Sequence, residues 1–227
     1  MQAIEIDFWH SSLETTPEKY QQAWQILDDE EKSRAAKFSN ALLQQRYVSA
    51  HGQLRRILAQ YLEVSPASLL FLKTARGKPY LADYPGLAFN LSHTSEDMAV
   101  AVAKNCQIGV DIEQSKQRLN LADLVKRCFA EPEAVYWHQL PEDKQQQAFY
   151  QFWTRKEAFV KATGLGITVG LHDCIINPHQ PQSFLSVPAQ CGAASAWHCR
   201  DIFVGQNLCA AVVANKAIAN IKHRTMT

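Results

Sequence analysis

The chain has 227 residues, 47 % of them hydrophobic, and 23 Lys and Arg against 22 Asp and Glu give a formal charge of +1. That length can fill one large domain or two small ones around a real core, and the near-neutral balance excludes a general nucleic-acid coat or an acidic tail, so a charged ligand must be met by a local patch. No apolar run approaches the ~18 residues of a membrane helix, and "MQAIEIDFWH" lacks the basic and apolar regions of a signal peptide. Six cysteines without a C-x-x-C pair read as reduced thiols of a cytoplasmic protein, not as a disulfide framework or a zinc site.

In chain order, "TTPEKYQQAWQILDDEEKSRAAKF" opens with Thr16 as an N-cap and Pro17 at the first helical position, and breaks or restarts near Asp28–Asp29. Asn40 caps a longer helix, "ALLQQRYVSAHGQLRRILAQYL", in which Leu43, Tyr47, Ala50, Leu54, Ile57, Leu58 and Tyr61 recur at helical spacing. "LLFLKT" is extended, "ARGKPYLADYPG" is turn-rich, and "LAFNLSH", "MAVAVAK" and "IGVDIE" read as strands. "ADLVKRCF" and "FWTRKEAFVKATGLG" are helical, and "FLSVP", "AWHCRDIFV" and "LCAAVVA" are short strands separated by Pro and Gly. Each half holds helices followed by antiparallel strands. The expectation is an α+β fold of two abutting subdomains, 1–106 and 107–227.

In the last long helix Phe149, Phe152, Trp153, Phe159, Val160 and Thr163 mark a buried face, with Lys156 in its middle and Glu157 and Lys161 along its edge. A lysine aimed at a core needs an opposing charge, either in an acidic cleft or on a buried carboxylate. In "IGVDIE", Ile108, Val110 and Ile112 face one way and Asp111 and Glu113 the other, the two acids roughly 6.6 Å apart along the strand. This fits a strand with one wet face or a metal site. Glu157 packed over it would make a third carboxylate, a set whose mutual repulsion of about 3 kcal/mol per pair, at ~5 Å and an effective dielectric near 20, a divalent cation removes. All-oxygen ligands favour magnesium, manganese or calcium, and magnesium takes substrate phosphates as further ligands. Asn90, Ser92 and His93 in "FNLSHT", Arg76 and Lys78 in "TARGKPY", and Arg34, Lys37 and Arg46 on the first helices are each unremarkable as turn or surface groups. Together they offer cations from three segments to a ligand with several phosphates.

"FNLSH", "IGVDIE" and "FWTRKEAFVK", in this order and spacing and with "TARGKPYLAD" before them, resemble the 4′-phosphopantetheinyl transferases, in the monomeric type of two similar subdomains related by a pseudo-twofold axis. The resemblance runs from about residue 30 to about residue 170. It implies transfer of the phosphopantetheine arm of coenzyme A to a serine of an apo acyl or peptidyl carrier protein, releasing 3′,5′-ADP. It further implies that Asp111, Glu113 and Glu157 hold Mg2+ against the pyrophosphate, with Glu157 as general base and Lys161 neutralising charge. Arg46 and His93, with the Arg34 region, would meet the 3′-phosphate, and Arg76, Lys78, Pro79, Asn90 and Ser92 the rest of the nucleotide. Glu31 and Tyr47 depart from the family's pattern around the 3′-phosphate, and the acidic "TSEDM" after His93 would have to point away. Leu121, Leu124, Phe129, Lys126 and Arg127 form a region comparable to one that relatives use against carrier proteins.

Two rival readings remain at this level. Acids plus lysine over magnesium would also serve a metal-dependent phosphodiesterase or nuclease. A non-catalytic module that binds coenzyme A or a carrier protein has no need of all three acids and Lys161.

Overall fold

The computed structural model describes residues 3–116, 120–166 and 170–226. The chain runs β1 (Ile4–Ser12), α1 (Pro17–Ile26), α2 (Asp29–Ala36), α3 (Ala41–Leu62), β2 (Phe71–Lys73), β3 (Pro79–Leu81), β4 (Leu87–His93), β5 (Asp97–Lys104), β6 (Ile108–Gln114), α4 (Leu121–Cys128), α5 (Glu131–Gln139), α6 (Glu142–Thr163), β7 (Ile175–Ile176), β8 (Phe184–Ser186), β9 (His198–Ile202), β10 (Leu208–Ala214) and β11 (Ile218–Arg224). This is an α+β architecture. A four-stranded sheet, β11-β1-β5-β4, faces a three-stranded sheet, β6-β10-β9, and two short hairpins pair β2 with β3 and β7 with β8.

Local chemistry accounts for the helix starts. Thr16 accepts from the Lys19 amide with Pro17 at the first turn, Asp28 and Glu31 form a reciprocal capping box, and Asn40 accepts from the amides of Leu42 and Leu43. Gly164, at φ 67°, ends α6 in the left-handed conformation that a side chain disfavours. Leu54, Ile57 and Leu58 of α3 pack on Phe89 of β4 and Met98, Val100 and Val102 of β5. Between the sheets, Ile6 and Phe8 of β1 meet Val110 and Ile112 of β6 and Val212 of β10. Each such side chain contributes roughly 1.5–3 kcal/mol by leaving water.

Four strands and a helix escaped the sequence reading: β1, β11, the short β3 and β7, and α5. Ile4, Ile6 and Phe8 alternate as a half-buried strand should, and β11, the last element, runs parallel beside β1 with Ile4 against Ile218 and Ile6 against Ile221. Alternation is present in β1 alone, since Ile218 and Ile221 of β11 stand three apart across a register shift, and the partner lies over 200 positions away in sequence. α5 starts at Glu131–Pro132, a proline-led first turn. Leu43, placed by spacing among the apolar positions of α3, is 48 % exposed.

β6 has no wet face at its centre. Ile108 to Ile112 are all buried, because one face meets the other sheet and the opposite face lies under α6. α6 is buried on most of its circumference: Phe149, Phe152 and Phe159 join Phe129, Trp137 and Trp197 on its outer side, while Trp153 and Thr163 are half-buried. Lys156 belongs to this outer side. Its Nζ stands 2.7 Å from Glu133 Oε2 of α5, with both side chains 0 % exposed. It also donates to the carbonyls of Leu171 and Cys174, while Glu133 accepts from the amides of Ala130 and Ile176. Every polar atom of the pair is thus served, and the lysine's counter-charge is a buried carboxylate away from the cleft. Burial pushes the Glu133 carboxyl up, and Lys156 pulls it back.

A buried pair of this kind costs little while intact and much when halved. Glu133→Gln or Lys156→Met alone is expected to lose about 3–5 kcal/mol in urea unfolding. The double variant should recover most of that loss; an additive double loss would show that the two groups are not coupled.

Candidate active site

The site forms where β4, β6 and α6 meet. β4 pairs with β5 and β6 with β10, so no backbone ladder joins β4 to β6. Side chains of β4 take its place: Asn90 Oδ1 accepts from the Val110 amide at 2.9 Å, and Ser92 Oγ accepts from the Ile112 amide at 3.4 Å. Gly109 then lets α6 lie directly on β6, since a Cβ there would stand 2.0 Å from the Ala158 carbonyl oxygen and 2.4 Å from the Ala162 amide nitrogen.

This approach sets Asp111 under the cleft edge of α6. Lys161 Nζ donates to Asp111 Oδ1 at 2.6 Å and to Ser92 Oγ at 2.7 Å, and Ser92 Oγ donates to the same carboxylate oxygen at 2.8 Å. Asp111 is 4 % exposed, and its other oxygen, Oδ2, is buried without a partner. A buried anionic oxygen left bare is costly unless a ligand supplies the counter-charge. Glu157 is half-buried, and burial first, then the Asp111 charge, hold its carboxyl above the usual range, with Lys161 opposing. Glu113, half-buried at the end of the same strand, lies near Cys209. Two repelling carboxylates, a bare buried oxygen and an all-oxygen donor set fit a hard divalent cation. Among the described residues no three His, Cys, Asp or Glu side chains are grouped so as to hold a metal ion by themselves, Asp111, Glu113 and Glu157 included; Lys161 already occupies one Asp111 oxygen. A cation here would draw further ligands from water or phosphate.

His93 ends β4, where desolvation and then the nearby charges of Lys161, His51 and Arg46 press its imidazole below the ordinary value. Arg34 lies over the Tyr47 ring at 5.6 Å, and Tyr47 stacks on His51 at 4.1 Å. A pocket of about 200 Å³ adjoins them, lined by Arg34, Tyr47, His51, Lys73, Pro79 and Asn90 among others. His51 was not singled out from sequence, although its position four after Tyr47 places the two rings on one helical face. Glu31 turns out to be structural: it is buried and takes Arg55 Nε at 2.7 Å and His51 Nδ1 at 2.9 Å. In the acidic loop, Asp97 points to His10 of β1 at 2.9 Å.

In "RGKP", Arg76 and Lys78 turn donors onto backbone carbonyls while lining, with Pro79, a pocket beside the end of α6. Lys78 Nζ donates to the carbonyls of Ile108 at 2.9 Å and Ala162 at 2.8 Å, and Arg76 Nη1 donates to Leu165 O at 3.0 Å. Pro79 lines both the 200 Å³ pocket and a second one of about 430 Å³ beside the end of α6. On α4, Lys126 and Arg127 are exposed and Leu121 and Leu124 half-buried, whereas Phe129 stacks on Phe149 at 5.5 Å inside the core and is withdrawn from any docking face.

Comparison with known proteins follows the same outline. A family described as the 4′-phosphopantetheinyl transferase superfamily matches residues 107–213, and one described as 4′-phosphopantetheinyl transferase, N-terminal, matches residues 11–106. The chain is 33 % identical to 4′-phosphopantetheinyl transferase HetI of Nostoc sp. over 212 residues, 92 % of this chain and 86 % of that protein. It is 27 % identical to 4′-phosphopantetheinyl transferase Sfp of Bacillus subtilis over 157 residues, 68 % of each. Against the L-aminoadipate-semialdehyde dehydrogenase-phosphopantetheinyl transferase of Mus musculus it is 29 % identical over 159 residues, 64 % of this chain and 50 % of that one.

The close approach at Gly109 is open to direct test. Gly109→Ala should destabilise by about 1–3 kcal/mol through overpacking, read from the denaturant midpoint, although alanine is ordinarily the better strand residue. An unchanged midpoint would mean that α6 and β6 do not touch at this position.

Proposed function

The chain belongs to the 4′-phosphopantetheinyl transferase superfamily, and we propose that it transfers the phosphopantetheine group of coenzyme A to a serine of an apo acyl or peptidyl carrier protein, releasing 3′,5′-ADP. The observation that carries the reading is the bare, buried Asp111 Oδ2 beside a Lys161-bound Oδ1, with the Glu157 carboxyl held above its usual range by burial and the Asp111 charge. A site of this kind is prepared for an anionic ligand that arrives with a cation, and transfer of a phosphoryl-type group asks for charge neutralisation and in-line positioning more than for a covalent nucleophile.

Glu157, when ionised, accepts the proton of the carrier serine, directly or through water. The serine oxygen forms its bond to the phosphorus that bears the pantetheine arm, and the bond from that phosphorus to the bridging oxygen breaks. The electron pair leaves with 3′,5′-ADP. Lys161 has three N–H groups, two of them spent on Ser92 and Asp111, and the third is available to a pyrophosphate oxygen. Ser92 fixes the orientation of both partners. Asp111 and Glu157, with Glu113 beside them, are the residues that would hold magnesium, whose chemistry there is neutralisation of the pyrophosphate oxygens. Arg46, His93 and the Arg34 region face the 3′-phosphate, and Pro79 and Asn90 border the nucleotide pocket. Exposed Lys126 and Arg127 on α4 are suited to steering an acidic carrier protein.

The halves 1–106 and 107–227 are read as similar subdomains related by a pseudo-twofold axis. Support comes from α3 and α6, each 22 residues long and each lying on antiparallel strands. The protein is read as a cytoplasmic monomer; among the described residues no helix is long and apolar enough to cross a membrane.

Incubation with coenzyme A, magnesium and an apo carrier protein should add one phosphopantetheine group to the carrier by intact mass. EDTA should abolish the gain, and Glu157→Gln should slow it by about 10²–10⁴-fold, the usual range for a lost general base. Asp111→Ala should be at least as damaging. Phosphate release without a carrier would instead favour the hydrolase, and coenzyme A binding without mass gain on fatty-acid, polyketide and peptide-synthetase carriers would favour the binding module.

Coenzyme A should also move the His93 titration. Desolvation and, after it, the charges of Lys161, His51 and Arg46 depress this imidazole, whereas a 3′-phosphate beside it favours the charged form. Its NMR-detected pKa should therefore rise on binding. No movement would remove His93 from the phosphate site.

A further inference from the structure

Lys78 draws together three segments that the reaction needs. Its ammonium is held between the carbonyl of Ile108, the first residue of β6, and that of Ala162 in the last turn of α6. Asp111 lies three residues beyond the first anchor, and Lys161 immediately precedes the second. The loop carrying Lys78 also walls the pocket assigned to the nucleotide, through Lys73, Gly77 and Pro79.

Resting on the transferase reading above, we infer that Lys78 is a positioning residue: it straps the nucleotide loop to the catalytic helix and sets the alignment of Lys161 with Asp111, rather than contacting coenzyme A with its charge. The physical reasons are independent of one another. The last-turn carbonyls of a helix lack partners within the helix and carry the negative end of its dipole, so a half-buried ammonium on Ala162 O satisfies both. The same ammonium ties that turn to the start of β6, the strand on which α6 already rests at Gly109. Arg76 adds a parallel tie to Leu165 O. The stem of Lys78 also fits closely, its Cδ standing 3.1 Å from where a Cβ on Gly164 would lie. Burial presses the Lys78 ammonium down to about 8. A loop lysine serving only an incoming ligand would have no need to be desolvated before that ligand arrives.

The strap connects two events. A nucleotide that orders the Thr74–Pro79 loop also steadies the last turn of α6, and with it Lys161. Binding at one end of coenzyme A thereby bears on the geometry at the bond that breaks, a use of remote binding energy that appears in kcat rather than in KM.

Wild type, Lys78→Met and Lys78→Arg are compared for transfer to an apo carrier, with amide hydrogen exchange of residues 160–165 followed with and without coenzyme A. Transfer by the wild type decides the functional reading on its own. Given that transfer, Lys78→Met should lower kcat by about tenfold or more while KM for coenzyme A changes by less than about threefold, the pattern of a group whose loss is felt in the transition state. Lys78→Arg, which keeps donors within reach of both carbonyls, should restore most of kcat. Coenzyme A should slow exchange at residues 160–165 in the wild type and in Lys78→Arg. Should Lys78→Met not fold, the Lys78→Arg kinetics and the wild-type exchange decide. A raised KM with kcat intact in Lys78→Met, loss of kcat in Lys78→Arg, or wild-type exchange indifferent to coenzyme A would each overturn the strap.

Discussion

The chemistry of this protein depends on one contact, the seating of α6 on β6 at Gly109. A side chain of any size there would hold the helix away from the strand, because the room for even one methyl group is taken by the Ala158 carbonyl oxygen and the Ala162 amide nitrogen. With the helix down, Lys161 reaches Asp111 at 2.6 Å and Glu157 comes within its field. Asn90 and Ser92 secure the other flank of β6 by replacing a missing backbone ladder with side-chain acceptors. The strand is thus fixed from above and from the side, and a carboxylate can be carried in a nearly dry position without the strand shifting to relieve it.

Two lysines five residues apart on one helix show how burial and function are separated. Lys156 faces outward into the aromatic packing of α4 and α5 and is neutralised once, by Glu133 and two carbonyls. Lys161 faces the cleft, is about one-third exposed and shares its hydrogens between groups that a ligand could rearrange. The first half holds a counterpart to the sealed pair: Arg55 of α3 is 0 % exposed, with Glu31 and Asp28 as its partners and the carbonyls of Pro66 and Leu69 completing its fork. Each long helix therefore carries an internal ion pair that commits it to its neighbours. A change of sign in either pair would leave an uncompensated charge in a dry place.

The helix periodicities, the caps at Thr16 and Asn40 and the strands from Leu87 to Glu113 were legible because each is decided within a few residues. The union of β1 with β11 was not, since alternation in a short strand does not say which distant segment will cover it. For the site, spacing put Glu157 and Lys161 on one helical face and Asp111 and Glu113 on one strand face, and the structure brings Lys161 onto Asp111. Spacing could not tell that the same strand face is roofed over at Asp111, which follows only from the absence of a side chain at Gly109. It also could not tell that the Lys78 ammonium turns toward the backbone, because a lysine in a charged turn looks the same whether it awaits a ligand or caps a helix.

The electrostatic state of the site bears on the order in which its ligands can enter. Asp111 and Glu157 with Lys161 make two acids and one base, and burial first and the Asp111 charge second hold the Glu157 carboxyl above its usual range against the opposing pull of Lys161. A pyrophosphate approaching this group brings more negative charge and competes with Asp111 for Lys161. At ~5 Å and an effective dielectric near 20, each added like-charge pair costs about 3 kcal/mol, more than a single hydrogen bond from Lys161 returns. The proposed nucleotide end would meet less opposition, since Arg34 and His51 line the 200 Å³ pocket, His93 lies within the field of His51 and Arg46, and the nearby acids Asp28, Glu30 and Glu31 are already paired. On the proposed transferase reading the ligand would therefore be admitted by its nucleotide end first. A divalent cation held by Asp111 and Glu157 would supply the positive charge that its pyrophosphate needs, and the same charge would favour the ionised form of Glu157 that can act as a base.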